Sequence, residues 1–321
     1  MISAAAHRSC DATHDRKRQD AQAGNLSPGS LMMRISKHEK LILLLAASSV
    51  LFAQNNDFPV KSQSSSSVPD VRQIVESSIA ATQRHWQARL QYTSVERHED
   101  RRLDSGGHVK SEEVDVSRVI LVDGVPFEQL VERNGRPPSA LEQRKQKERL
   151  DKLKRATPEQ RAERLRKEEE ESTSLVREIP RAFDFQLVGE EVVNGTAAYV
   201  LEATPHPGYH PQGTYGKIFS RLAGKLWVDK QDFGWIKANG QVIEPFSLGL
   251  FLVRLLRGSR ITMEQTRIDD GNWVPEHVEV RAAAKIFFVK SLVIDRLLTY
   301  SEYRPAEAGV PIMPDNSQKL P

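Results

Sequence analysis

The feature that most constrains this chain is a series of turn signals. Asp104-Ser-Gly-Gly107, Asp123-Gly124, Asn134-Gly135, Asn194-Gly195 and Asp269-Asp-Gly-Asn272 recur through the sequence. Asn-Gly and Asp-Gly pairs accept the positive φ angles of tight hairpins. Between them lie runs of β character at residues 90–101, 109–114, 116–122, 125–132, 183–193, 197–204, 224–229, 233–244, 260–268, 273–282 and 286–303. That predicts about 10–11 strands. Several alternate, as in Lys225-Leu226-Trp227-Val228-Asp229. No helix-length segment separates most of them, so the sheet is expected to be an antiparallel meander.

Two helical regions stand against this pattern. Val68-Pro69-Asp70 opens a helix expected to run to about residue 88, with Pro and Asp suited to a helix start. Val71, Ile74, Val75, Ile79, Trp86 and Leu90 give it one apolar face. Residues 139–176 differ: 11 Lys/Arg and 9 Asp/Glu fall between Ser139 and Glu171. Thr157-Pro158 marks a second helix start there, so two charged helices are expected, at about 139–156 and 158–176. With few large apolar residues, they read as a solvated arm held by i,i+4 ion pairs. A docking arm for a partner is the alternative.

The segment Phe246-Ser-Leu-Gly-Leu-Phe-Leu-Val-Arg-Leu-Leu256 holds 8 large apolar side chains in 11 residues. It is too short to span a bilayer. It suits either a core helix or turn closing one end of the sheet, or an apolar lid over a greasy cavity.

Positive charge is confined to the front of the chain. The formal net charge is +3. Residues 1–53 carry 7 Lys/Arg and 4 Asp/Glu, and the rest carries 39 of each. A nucleic-acid partner is therefore not expected. Leu41–Ala53 (LILLLAASSVLFA) follows the basic stretch Arg34–Lys40, the pattern of a secretory signal peptide at residues 32–53. Residues 1–31 precede it and read as a mis-assigned upstream extension, with Met32 or Met33 as the start. Cleavage is expected after Ala53, followed by a Ser-rich linker at 54–67 and, at the far end, a disordered tail at 305–321. The exported chain would be periplasmic, with no transmembrane helix once mature. The single cysteine, Cys10, excludes a disulfide framework and a Cys-based zinc site.

Motifs of chemistry are scarce. G-x-S-x-G, H-E-x-x-H, Walker and G-x-G-x-x-G patterns are absent. His206-Pro-Gly-Tyr-His210 sits in a Pro/Gly-rich loop without a nearby third ligand. The acidic pairs Glu190-Glu191, Asp229/Asp232 and Asp269-Asp270 flank turns, and Asn194-Gly-Thr196 is a hairpin turn before it is a glycosylation sequon. No cofactor and no enzyme activity are expected. Trp227, Trp235 and Trp273 are expected to face one shared interior.

Ala182-Phe-Asp-Phe-Gln-Leu-Val-Gly-Glu-Glu191, Asn194-Gly-Thr-Ala-Ala-Tyr-Val-Leu-Glu-Ala-Thr-Pro205, Gly224-Lys-Leu-Trp-Val-Asp-Lys230 and Tyr300-Ser-Glu-Tyr303 carry a family resemblance. Over roughly residues 68–304 the chain resembles the LolA/LolB-type lipoprotein carriers, and more closely the exported outer-membrane lipoprotein-sorting-like proteins. The resemblance implies an α+β fold: a strongly curved antiparallel half-barrel with helices over its concave face. It also implies an apolar pocket for acyl chains of a lipid or lipoprotein. The charged insertion departs from the simple carrier. Trp86, Trp227, Trp235, Phe246, Leu250, Phe251 and Leu252 are the candidate ligand-binding residues, with the first helix and the 246–256 segment as candidate lids. The competing expectation is a structural or interaction module of the cell envelope, acting through the charged arm on a protein partner.

Overall fold

A computed structural model describes residues 70–104, 106–211, 213–248, 253–268, 270–286 and 290–306. Helix α1 (Val71–Arg89) leads directly into the sheet. Its N-cap Asp70 accepts from the Arg72 amide. Strands β1 (Tyr92–Leu103), β2 (Val109–Val122) and β3 (Val125–Arg133) follow as a meander. Helices α2 (Ala140–Lys154) and α3 (Pro158–Ala182) come next. Then come β4 (Phe183–Val193), β5 (Thr196–Pro205), α4 (Gly213–Phe219), β6 (Leu222–Asp229) and β7 (Trp235–Val242). The remaining elements are β8 (Phe246–Leu248), β9 (Val253–Leu255), β10 (Arg260–Arg267), β11 (Trp273–Ile286) and β12 (Lys290–Pro305).

Every strand pair is antiparallel, in the order β3-β2-β1-β12-β11-β10-β7-β6-β5-β4. The sheet is curved and unclosed, with β3 and β4 at its two edges. The fold is α+β. Asp123-Gly124 and Asn194-Gly195 form the expected hairpin turns, whereas Asn134-Gly135 makes a tight turn closed only by the Arg133–Arg136 bridge before α2; all six residues have φ between 50° and 81°. Asn, Asp and Gly are the residues that tolerate this region.

The inner face of the sheet buries the main core. Ile74 and Val75 of α1 and Val176, Ile179 and Ala182 of α3 pack there against Tyr199, Leu201, Leu226, Val228, Trp235, Met263, Val278 and Leu298. The fold class agrees with the sequence-based expectation, and four details correct it. Residues 109–114 and 116–122 form one strand, β2, and 12 strands are present among the described residues. The described residues of the Phe246–Leu256 segment are in strands rather than the expected core helix: β8 pairs with β9, and β9 pairs with β11. The strand pairing satisfies its backbone groups at the sheet margin instead. Residues 249–252, including Leu250, Phe251 and Leu252, lie outside the described residues, as do residues 32–53, expected to be a signal peptide, and residues 54–67, expected to be a linker.

The charged arm is the third correction. Both helices carry capping boxes, at Ser139/Glu142 and Thr157/Gln160. Leu150, Leu153 and Leu165 pack against Ile120, Val122, Val125 and Phe127 of β2 and β3, so three leucines suffice to seat the arm on the sheet. The second helix also runs to Ala182 rather than 176, carrying Pro180 in its last turn. The fourth correction concerns the tryptophans. Trp235 belongs to the main core, whereas Trp227 and Trp273 belong to a separate cluster with Ala198, Val200 and Ile236. Trp227 neighbours Val228, which pairs with Trp235. Successive strand residues point to opposite faces, so Trp227 and Trp235 cannot share an interior.

Candidate functional site

The cross-strand register lays out two unlike halves on the inner face. Across β4, β5, β6, β7 and β10, one row reads Leu187–Leu201–Leu226–Ala238–Met263. The adjacent row reads Phe185–Ala203–Gly224–Gly240–Ile261. Three consecutive strands contribute Ala, Gly and Gly, so a furrow crosses the sheet between Phe185 and Ile261. The backbones there are close-fitting. A Cβ on Gly224 would stand 1.9 Å from the Asn239 carbonyl oxygen, so only Gly allows β6 and β7 to approach as they do.

The furrow is roofed by the end of α3 and by α4. Ile179, Phe183 and Phe219 close over it, with the Phe183 and Phe219 rings edge to face at 5.5 Å. The cleft, partly open to solvent, has a volume of about 100 Å³ and is bounded by Trp235, Leu226, Ile261 and Met263 as well. Polar groups hardly contribute to its wall. A tie holds the roof: the Tyr209 hydroxyl, just before α4, donates to the buried Glu178 carboxylate on α3. Gly216 packs against that pair, where a Cβ would lie 2.8 Å from both oxygens.

The other half of the inner face is polar. Tyr300 and Leu298 share the core face and sit opposite Glu96 and His98 of β1. Next along the ladder, Arg296 opposes Asp100 and holds its carboxylate with two donors. Glu96, His98 and Asp100 in turn oppose Ser117, Asp115 and Glu113 of β2. The last turn of α1 covers part of this polar field. Arg89 approaches Glu96 at 3.8 Å, and His98 lies 3.4 Å from the same carboxylate. The Arg89 guanidinium stacks 5.6 Å from Trp86 and 5.8 Å from Tyr300. Burial pushes the Tyr300 and Tyr303 phenols well above the ordinary tyrosine range.

A second cavity of about 270 Å³ opens beside Arg89, between α1, the start of β1 and the middle of α3. Trp86, Leu90, Val119, Pro126 and Leu165 give it apolar walls, and Arg89, Glu168 and Glu169 its charges. Upstream, α1 is pinned by His85, whose Nδ1 accepts the Trp273 amide at 3.3 Å and faces the Asn272 side chain at 3.1 Å. Burial pulls the His85 imidazole below its ordinary value.

The candidate ligand residues therefore scatter. Trp235 lines the apolar cleft and Trp86 the second cavity. Trp227 turns to the other face, where its Nε1 donates to Glu191 at 2.8 Å. Phe246 lies in β8 and lines neither cavity. The residues that build the cleft, Phe185, Ala203, Phe219, Gly224 and Gly240, carry no signal singly; only their register makes a furrow. The turn-flanking acids have partners: Glu190 binds Lys230 at 2.6 Å, and Asp232 binds Arg267 at 2.6 Å. His206 meets Asp184 at 2.8 Å. Among the described residues no group of three or more His, Cys, Asp or Glu could hold a metal ion, and no helix is long and apolar enough to cross a membrane.

No family model matches the chain, and no curated protein matches it. Several solved structures are similar to it. A DUF1329 family protein from Desulfovibrio piger is 15% identical, with 75% of this chain and 95% of that one covered and a TM-score of 0.28. The LolA superfamily protein NE2245 from Nitrosomonas europaea is 12% identical, covering 75% and 96%, with a TM-score of 0.28. An outer-membrane lipoprotein-sorting protein domain from Vibrio parahaemolyticus, described as putative, is 10% identical, covering 74% and 95%, with a TM-score of 0.25.

Proposed function

We propose that this chain is a non-enzymatic binding protein of the periplasm, exported by residues 32–53, that receives an acyl chain of a lipid or lipidated protein in the furrow under α4. The observation that carries this is the Ala203–Gly224–Gly240 row, roofed by Ile179, Phe183 and Phe219. A furrow lined by apolar groups releases about 0.8 kcal/mol for each methylene it takes from water. The cleft of about 100 Å³ is smaller than the roughly 300–1,000 Å³ of ordinary ligand pockets. A tail longer than this volume holds fits only if Phe219 and α4 move outward.

The test fills the furrow from its floor. Ala203→Phe places a ring where the tail would lie, while the turns and the rest of the core stay as they are. A fluorescent long-chain fatty-acid probe should bind the unaltered protein and lose binding at least tenfold in Ala203→Phe, with the circular dichroism spectrum unchanged. Equal binding by both proteins would remove the furrow as the site. Absence of probe binding by the unaltered protein would instead favour an envelope interaction module, acting through the outward charges of α2 and α3.

A further inference from the structure

We propose that the outward face of the α2–α3 hairpin docks on an anionic lipid surface. The observation is a separation of charge. Residues 54–321 are neutral as a whole, yet residues 139–167 carry 11 Lys/Arg and 5 Asp/Glu, a net of +6. The remainder of 54–321 carries 28 Lys/Arg and 34 Asp/Glu, a net of −6. One helical hairpin is thus the positive pole of an otherwise acidic body, and it attracts anions from beyond contact range.

The excess is not consumed within the fold. Glu142 is held by Arg133 of β3 at 2.6 Å. Glu148 and Asp151 pair with Arg144 and Lys147 one turn away, and Glu163 serves both Arg166 and Lys167. Lys145, Lys152 and Lys154 are exposed and have no carboxylate partner among the described residues. Lys145, Arg149 and Lys152 form a row at i, i+4 and i+7, where like charges repel and weaken a helix. Of these three, Arg149 alone has an internal contact, the Phe127 ring at 5.7 Å. A face that served only the helix would alternate in sign, as the ion pairs above do. The acids that follow turn elsewhere: Glu168 binds Arg164 at 3.3 Å, and Glu169 accepts from Gln87 of α1 at 2.7 Å.

The other polyanion for such a face is an acidic protein, and the composition favours lipid. Protein interfaces centre on aromatic and apolar anchors and are depleted in lysine. Residues 139–167 hold five lysines and no aromatic residue. Leu141 alone is an exposed large apolar side chain there. Attraction to a layer of phosphate headgroups needs no anchor and no pocket; each Lys or Arg near such a surface raises affinity about fivefold. This inference does not rest on the furrow, because the charges act whether or not an acyl chain is carried.

Flotation of the full chain with vesicles of phosphatidylcholine, alone or with about 30 mol % phosphatidylglycerol, tests it. In about 50 mM NaCl the unaltered chain should bind the anionic vesicles roughly tenfold or more tighter than the neutral ones, and about 0.5 M NaCl should remove the difference. Lys145→Glu, Lys152→Glu and Lys154→Glu together bring residues 139–167 from +6 to neutral. That variant should lose roughly tenfold or more of the affinity for anionic vesicles, with its circular dichroism spectrum unchanged. If it does not fold, Lys→Gln at the same three positions takes its place and should lose about half as much on a logarithmic scale. Lys110→Glu, Arg281→Glu and Lys285→Glu make the same change in net charge from exposed positions on β2 and β11 and should leave binding within about twofold. Every variant keeps residues 1–53, so differences among them report the hairpin. Equal losses in the two Glu variants would overturn the proposal, since net charge alone would then explain binding. Equal affinity for neutral and anionic vesicles would overturn it as well. Polyglutamate bound at low salt by a chain that leaves the vesicles unbound would assign the face to an acidic protein instead.

Discussion

The two halves of one sheet face use the same geometry for opposite chemistry. Across β4–β7 and β10 the inward row is Leu, Leu, Leu, Ala and Met. Across β12, β1 and β2 it is Tyr, Glu and Ser, then Leu, His and Asp, then Arg, Asp and Glu. Helix α1 matches this change along its own length. Ile74 and Val75 near its start join the apolar core, whereas at its end Arg89, lying over the Trp86 ring, meets Glu96 and Tyr300. A continuous sheet can thus hold an apolar compartment and a polar one without a domain boundary. What divides them is composition: β4–β7 and β10 turn apolar side chains inward, whereas β1 and β2 turn charged and polar ones inward.

The largest test of the apolar half is its backbone fit. Gly224→Ala would set a Cβ 1.9 Å from a carbonyl oxygen, so β6 and β7 must separate. Gly240→Ala meets only the flexible end of Leu222, at 3.0–3.1 Å. The first should cost about 3 kcal/mol or more and the second about 1 kcal/mol or less in denaturant unfolding. Equal effects would mean that the furrow floor is not set by strand approach.

The arm provides the next test. Leu153 is 5% exposed beneath Val122, Val125 and Phe127. Leu153→Ala should destabilise the protein by about 2–4 kcal/mol. A change below about 0.5 kcal/mol would restore the picture of a free, solvated arm.

In the polar half, Glu96→Gln keeps shape but removes the carboxylate facing Arg89. A loss of about 2 kcal/mol is expected, less than for a wholly buried pair, because 17% of the Arg89 side chain remains exposed. If Glu96→Gln is neutral, the polar half is solvated rather than built.

How much of this was visible in the sequence depends on range. The tight turns were legible because Asp123-Gly124, Asn134-Gly135 and Asn194-Gly195 are local demands for positive φ, although the second leads to a helix and not to a strand. The start of α1 was legible from Pro69-Asp70 and the apolar spacing after it. The end of α3 was not: Val176, Ile179 and Ala182 supply only one turn of apolar pattern, and Pro180 reads as a stop. The furrow was not legible either, since Ala203, Gly224 and Gly240 lie on three strands and acquire meaning only in register. Strand β1 hid its inner face for a different reason. Glu96, His98 and Asp100 alternate with Arg97, Glu99 and Arg101, so polarity does not tell the two faces apart.

The smallest expected effect lies where the two halves meet. His85 pins α1 to the β10–β11 turn through the Trp273 amide and Asn272. Burial favours the neutral form of its ring over the charged one. Burial, the largest influence, lowers its folded pKa below the unfolded value near 6.5. Below that unfolded value the unfolded chain binds the proton more readily than the folded one. Stability linked to His85 is therefore complete above about pH 6.5 and falls with acidification until the folded pKa is passed. Thermal unfolding from pH 7.5 to 5 should show this as a drop in Tm that is shallower in His85→Phe than in the unaltered protein. The difference between the two proteins isolates this ring from His98, His206 and His277, which face carboxylates. Parallel pH profiles would mean that His85 does not hold α1 across the boundary, and that the two halves are joined by the sheet alone.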